Sequence, residues 1–241
     1  MTRTRPSALL HSPATVAAVR IVRDRLHAAA RAAERLADAG EADALHDFRV
    51  ALRRLRSALR AYRPWLGRAA SRKVRSALRD LGRTTNAGRD AEVQADWLAS
   101  EDREFSEQAR AGATKLAQLL RNHRRPRATE LQAALSVTAD KILKRLEFLD
   151  EPSPVFVAVY APLLAEHAAA AAARVAAITG AEQVEEAHEA RIAVKRLRYL
   201  LEPLLEELQQ APPLLERIEE LQDVLGELHD AHVLEDTLAS A

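Results

Sequence analysis

The residues best suited to chemistry are basic, and they recur at helical spacing. In the stretch from His46 to Arg60, His46, Arg49, Arg53, Arg56 and Arg60 stand three or four positions apart. At about 100° per residue they share roughly a 100° stripe of one helix. Leu45, Phe48, Leu52, Leu55 and Leu59 form the neighbouring apolar stripe, which must face a core. The basic stripe therefore borders the buried face, where a groove between helices would form. Between residues 46 and 63 the only acid is Asp47, so the usual i,i+4 acid–arginine pairs are missing. Like charges one turn apart repel unless an anion sits between them. Basic groups about 5 Å apart suit a linear chain of closely spaced negative charges. Arginine's planar fork matches phosphate oxygens, and histidine adds a charge as pH falls through roughly 6.5. A further row, Arg72, Arg75, Arg79 and Arg83, follows at the same spacing.

The pattern occurs twice. His188, Arg191, Lys195, Arg196 and Arg198 align without gaps on His46, Arg49, Arg53, Arg54 and Arg56 at an offset of 142 residues. Glu202 takes the place of Arg60, while Arg54 and Arg196 are expected on the far side of their helices. A second echo sets Arg89-Asp90-Ala91-Glu92-Val93 against His229-Asp230-Ala231-His232-Val233, at an offset of 140. Such self-similarity predicts two similar helical halves related by a pseudo-two-fold axis. Beyond residue 212 only Arg217 is basic, so the site should be richer in charge from the first half. The bland alternative is a solvated arginine-rich face. The shortage of acids, the recurring histidine and the border with the core argue against it.

The elements that must hold these stripes are helices. Apolar residues return every three or four positions almost throughout, and no segment alternates convincingly with period two. Helices are predicted at 13–38, 43–63, 68–85, 89–121, 127–149, 154–178, 182–209 and 214–239. Gly40 marks the end of the first, Asp43 the start of the second, and Pro64 with Gly67 its end. Pro126 restarts a helix after the basic run Arg121 to Arg125, and Glu151-Pro152-Ser153-Pro154 is the clearest break. Gly180 and Pro212-Pro213 are read as closing later helices, and Pro162 and Pro203 each as a kink or first turn. The alanine-rich segment 167–178 reads as a tight helical contact. The expected fold is all-α: two helical-bundle halves with a basic central channel or groove, in one domain spanning 1–241.

Composition narrows the function. The chain has 241 residues, 48% of them hydrophobic and 4% aromatic, a helix-forming balance able to bury a sizeable core. The net charge of +1 hides an asymmetry. Residues 1–150 hold 30 Lys+Arg against 18 Asp+Glu, whereas residues 151–241 hold 6 against 17. Either the halves neutralise each other or the basic half holds an external polyanion. The absence of cysteine excludes disulfides, thiolate metal sites and a cysteine nucleophile. No apolar run approaches the ~18–20 residues that cross a bilayer. His11, Ser12 and Pro13 interrupt the apolar stretch behind Arg3 and Arg5, so no signal peptide is expected and a cytoplasmic location is the default.

Other chemistry finds little support. His229 and His232 could share a helix face, but a third ligand is lacking nearby, so no metal is expected. Asp230 reads instead as a cap of the last helix, with the histidines lining a channel or solvent. Glycine-rich phosphate loops are absent and no cofactor is implied. Glu185, Glu186 and Glu189 read as a solvated face near a helix start. Trp65, Trp97, Tyr160 and Tyr199 read as core anchors. Without a metal-binding carboxylate cluster beside the stripe, no catalytic residue is assigned and binding without turnover is expected.

The doubled pattern of His, Arg three residues on, a basic pair with Leu and a further Arg resembles the CHAD family, the conserved histidine α-helical domain. The Arg89-Asp90 and His229-Asp230 segments support the likeness, which spans about 40–236. It implies two helical bundles about a pseudo-two-fold, a basic central channel binding inorganic polyphosphate, and an association with polyphosphate granules. Some members also carry a triphosphate-tunnel enzyme domain, for which this chain has no room. The resemblance assigns polyphosphate contacts to His46, Arg49, Arg53, Arg56, His188, Arg191, Lys195 and Arg198. Arg60, Arg72, Arg75 and Arg79 join them on helical geometry. Two other readings stand beside it. A nucleic-acid-binding helical protein fits the charge but not the scarcity of aromatics for stacking. A scaffold would pair its basic half with its acidic half.

Overall fold

In the computed structural model the described residues are 9–38, 43–85, 107–122, 128–149, 152–205, 207–208 and 210–239. Side chains are described for these except at 107–108, 120–122, 229–231 and 233–239. Among them the chain is all-α: α1 (Ala14–Arg35), α2 (Ala44–Ala61), α3 (Arg63–Leu66), α4 (Arg72–Thr84), α5 (Glu107–Asn122), α6 (Ala128–Leu146), α7 (Phe156–Ala176), α8 (Val184–Leu201) and α9 (Ala211–Ala239). Short 3-10 turns follow α3 at Gly67–Ala70 and α8 at Glu202–Leu204. The only β pairing among the described residues is one isolated bridge between Pro13 and Val155.

The local chemistry explains most boundaries. The Asp43 carbonyl accepts the Asp47 N–H at 2.9 Å and opens α2. Gly67 adopts a φ of 47°, a left-handed turn that spares it any Cβ clash between α3 and the next turn. The Thr85 hydroxyl donates to the Gly82 carbonyl at 2.7 Å and closes α4. Pro203 lies in the 3-10 turn that ends α8.

Several expectations are corrected. Pro212 and Pro213 open α9 instead of closing the helix before it, because first-turn N–H groups have no acceptor to lose. Asp230 lies deep inside α9, which runs on to Ala239, so it is no cap. Helix α7 is long and apolar enough, by length and composition alone, to cross a membrane. Glu166 and His167 break the apolar run of the sequence without ending the helix. Its alanines are no tight contact throughout: Ala171 is buried, but Ala168, Ala169, Ala170, Ala172 and Ala173 are exposed. A helix turns only one face inward, and alanine's helix propensity sustains the rest. Gly40, Trp97, Pro126, Glu151 and the Arg89–Val93 echo lie outside the described residues, as does the first part of the helix expected from 89.

The chain divides into two compact units. An inner unit comprises Val22–Leu59 and Gly67–Phe148; a terminal unit comprises Met1–Ile21, Arg60–Leu66 and Leu149–Ala241. The inner unit buries Phe48, Leu52, Leu55 and Leu59 of α2, Val74, Leu78 and Leu81 of α4, and Leu131, Leu135, Ile142 and Leu146 of α6. Each such side chain contributes about 1.5–3 kcal/mol when fully buried. Arg145 of α6 fastens the entry to α4, donating to the Arg68 carbonyl and to Ser71 Oγ at 3.0 Å each.

In the terminal unit, α7 and α9 both pack on α8. Their shared core holds Ala171, Ala190, Val194, Leu201, Ile218 and Leu225. Tyr62, Phe156 and Tyr160 form an aromatic chain, with ring centroids 5.7 and 5.1 Å apart. Tyr160 is the buried anchor expected of it, whereas Trp65 and Tyr199 are only half-buried.

Candidate functional site

Helix α2 carries the first stripe as its periodicity requires. With its leucines and Phe48 facing the core, Arg49, Arg53 and Arg56 are half-buried at the edge, and His46 and Arg60 are exposed. The one acid of the helix, Asp47, is engaged elsewhere: Arg35 Nη1 of α1 lies 2.5 Å from its Oδ2. The Nε of Arg53 is buried and has no hydrogen-bond partner among the described residues. A buried donor left unmatched costs about 1–3 kcal/mol.

Arg56 reaches across to α4. A Cβ built on Gly82 would stand 3.3 Å from Arg56 Nη1, so the bare glycine leaves the guanidinium room over the helix. On α4 itself, Arg75 borders the core with Gly82, and its Nε donates to the Ala70 carbonyl at 3.1 Å. Arg72, Arg79 and Arg83 are exposed. Arg79 Nη2 donates to Ser76 Oγ at 3.1 Å, and Arg83 faces Asp80 at 3.8 Å. The inner unit thus gathers Arg53 and Arg56 beside the Gly82 edge of α4, with Arg72, Arg79 and Arg83 turned outward.

The second stripe lies on α8 in the terminal unit. Arg191, Lys195 and Arg198 are half-buried and His188 is exposed, repeating the order of α2. The Nε of Arg191 is buried without a hydrogen-bond partner among the described residues, like that of Arg53. The Nε of Arg198 is likewise buried without a hydrogen-bond partner among the described residues, but its guanidinium is ion-paired with Glu202 and Glu219 and bonded to Gln222. Glu185 and Glu186 occupy the first turn of α8 as expected, but Glu189 pairs with Arg174 of α7.

Arg60 belongs to the terminal unit, apart from the rest of its stripe. Desolvation, and secondarily the positive charge of Arg196, lower its pKa from the ordinary arginine value. Arg196 is exposed, and its charge bears on Arg60. His232 was expected toward a channel or solvent, yet it is buried, its Nε2 against the Ala181 carbonyl. With Ile218, Gln222 and Leu225 it lies on the buried stripe of α9. The side chains of His229 and Asp230 lie outside the described residues. Among the described residues no three His, Cys, Asp or Glu side chains are placed to hold a metal ion.

The sequence matches the CHAD domain family over residues 20–239. The chain belongs to that family. Among solved structures, the CHAD domain from the plant Ricinus communis has the same fold, with a TM-score of 0.66 at 23% identity. The match covers 99% of this chain and 84% of that one. Among curated proteins no match is found.

Proposed function

We propose that this CHAD domain binds inorganic polyphosphate, without turnover, in the cytoplasm at polyphosphate granules. The first stripe is the principal surface: His46, Arg49, Arg53 and Arg56 along α2, with Arg72, Arg75 and Arg79 on α4. Arg60, His188, Arg191 and Lys195 form a lesser surface in the terminal unit. One observation carries the reading. Half-buried arginines stand one turn apart along the edge of α2 that borders its core face. Arg191 repeats the half-buried setting of Arg49, its equivalent in the first stripe, which extends the pattern to the second copy. A chain of phosphates offers oxygens at a repeat short enough to engage successive turns.

The test is a titration of the full chain with long-chain polyphosphate at near-physiological salt, with single-stranded DNA of matched charge as competitor. Tight binding that the DNA does not displace is expected. Equal or stronger DNA binding would make the protein a general polyanion binder, and binding of neither would sink the proposal. Thermal melting adds an independent reading, because a ligand selective for the native state raises the melting temperature. A scaffold whose basic and acidic halves pair internally would show no such shift.

A further inference from the structure

Arg198 sits among two acids and an amide inside the terminal unit. Its Nη1 donates to Gln222 Oε1 at 3.2 Å, its Nη2 lies 2.7 Å from Glu219 Oε1, and its Nε lies 3.4 Å from Glu202 Oε1. The Glu202 side chain is only 5% exposed and that of Arg198 only 25%. One guanidinium thus faces two carboxylates and an amide.

The internal repeat makes this arrangement informative. Arg198 corresponds to Arg56, and Glu202 to Arg60, at the offset of 142. Along the helix that follows, the offset of 140 sets Gln222 against Gly82 and Glu219 against Arg79. The contacts agree with that register: Arg56 meets Gly82 in the inner unit just as Arg198 meets Gln222 in the terminal unit. The positions equivalent to Glu202 and Glu219 are therefore arginines in the first copy, Arg60 and Arg79. Both glutamates turn onto the side chain of Arg198.

We infer that Glu202 and Glu219 are built-in counter-anions that take Arg198 out of polyphosphate binding, so that the second stripe ends at Lys195. The inference rests on the polyphosphate reading above. A phosphate chain approaching Arg198 must displace a carboxylate from a half-buried ion pair and then lie beside both acids. Like-charge repulsion of that kind discriminates strongly even where attraction is weak. The glutamates also fix which part of the protein holds the ligand.

The experiment compares polyphosphate titrations of the full chain for wild type, Arg198→Gln, Glu219→Gln, Glu219→Arg and Glu219→Gln/Arg198→Gln, with Arg53→Ala as reference. Glu219 is 40% exposed on its side chain, so its substitution is compatible with folding. Arg198→Gln should leave affinity within about twofold of wild type, as expected for a cation already neutralised. Glu219→Gln should tighten binding about threefold and Glu219→Arg about tenfold, with a steeper salt dependence, as each frees or adds a cation for phosphate. The gain of Glu219→Gln should vanish in the double variant. Should Arg198→Gln fail to fold, Glu219→Arg decides alone, and no gain in affinity overturns the inference. Weakening by Arg198→Gln as severe as that by Arg53→Ala, with no gain from Glu219→Gln, overturns it while polyphosphate binding stands. Absence of binding by wild type and every Glu219 variant sinks the functional reading and this inference together.

Discussion

Arg56 Nη1 lies 3.3 Å from the point a Cβ on Gly82 would occupy, so the guanidinium rests on a helix surface kept bare. Gly82→Ala sets two effects against each other. Gly82 lies in the last turn of α4, where alanine is favoured over glycine by less than the about 1 kcal/mol of a helix interior. The new methyl is also tight enough to push the guanidinium aside by a few tenths of an ångström. The melting temperature should rise by at most about 2 °C, while polyphosphate affinity falls. Gly82→Leu should approach the loss caused by Arg56→Ala. Wild-type affinity in Gly82→Leu would show that the position of Arg56 over α4 is irrelevant to binding.

Removing charge at Arg53 and Arg56 together tests the principal surface. Both side chains are half-buried at the edge of α2, while the core side of that helix is made by Phe48, Leu52, Leu55 and Leu59. Arg53→Ala/Arg56→Ala should therefore keep its helical circular dichroism. Its polyphosphate affinity should fall at least about tenfold, and the slope of log affinity against log salt should lessen by about 1–2. An unchanged slope would mean that neither arginine meets phosphate.

Much of this site was legible because helical periodicity is local. Phe48 and the leucines of α2 and the arginines beside them occupy adjacent stripes whatever the tertiary packing, and burial follows those stripes. The repeat was legible for the same reason. The partners of Arg198 were not, except for Glu202 one turn away. Glu219 and Gln222 come from the next helix, across a turn whose path only packing determines. The grouping of residues 60–66 with the C-terminal part was equally hidden. It involves the tilted ring contact of Tyr62 with Phe156, more than ninety positions apart, while the visible change of charge lay near residue 150. His232 misled because its spacing from His229 suggested a shared exposed face, whereas the turn of α9 buries it.

Asp47 offers a test of whether acids near the first stripe oppose binding. Its partner Arg35 and its own side chain are both over 40% exposed, at 43% and 44%. An exposed pair of this kind contributes about 0–1 kcal/mol. The acid also sits in the first turn of α2, where it favours the helix by about 0.3–1 kcal/mol. Asp47→Asn should therefore cost no more than about 2 kcal/mol in a denaturant titration, taking both contributions together. Removing a negative charge one residue from His46 should leave polyphosphate affinity equal or higher. Weaker binding would show that Asp47 positions the stripe.

Tyr160 links the aromatic chain to α8 and makes the terminal unit sensitive to alkali. Its hydroxyl donates to the Leu200 carbonyl at 2.6 Å, and burial raises its pKa far above the ordinary 10.0, with Tyr62 adding to the shift. The folded state holds this proton where the unfolded chain releases it. Stability from Tyr160 is therefore complete below pH 10.0 and declines as pH rises beyond it. Tyr160→Phe removes the titration and also strands the Leu200 carbonyl, at a cost of about 1–3 kcal/mol. At pH 7 the variant should be the less stable protein in urea. Between pH 10 and 12 its stability should fall less steeply than that of wild type, so the two curves converge. Parallel curves would assign the alkaline loss to other groups and leave Tyr160 a purely structural hydrogen bond.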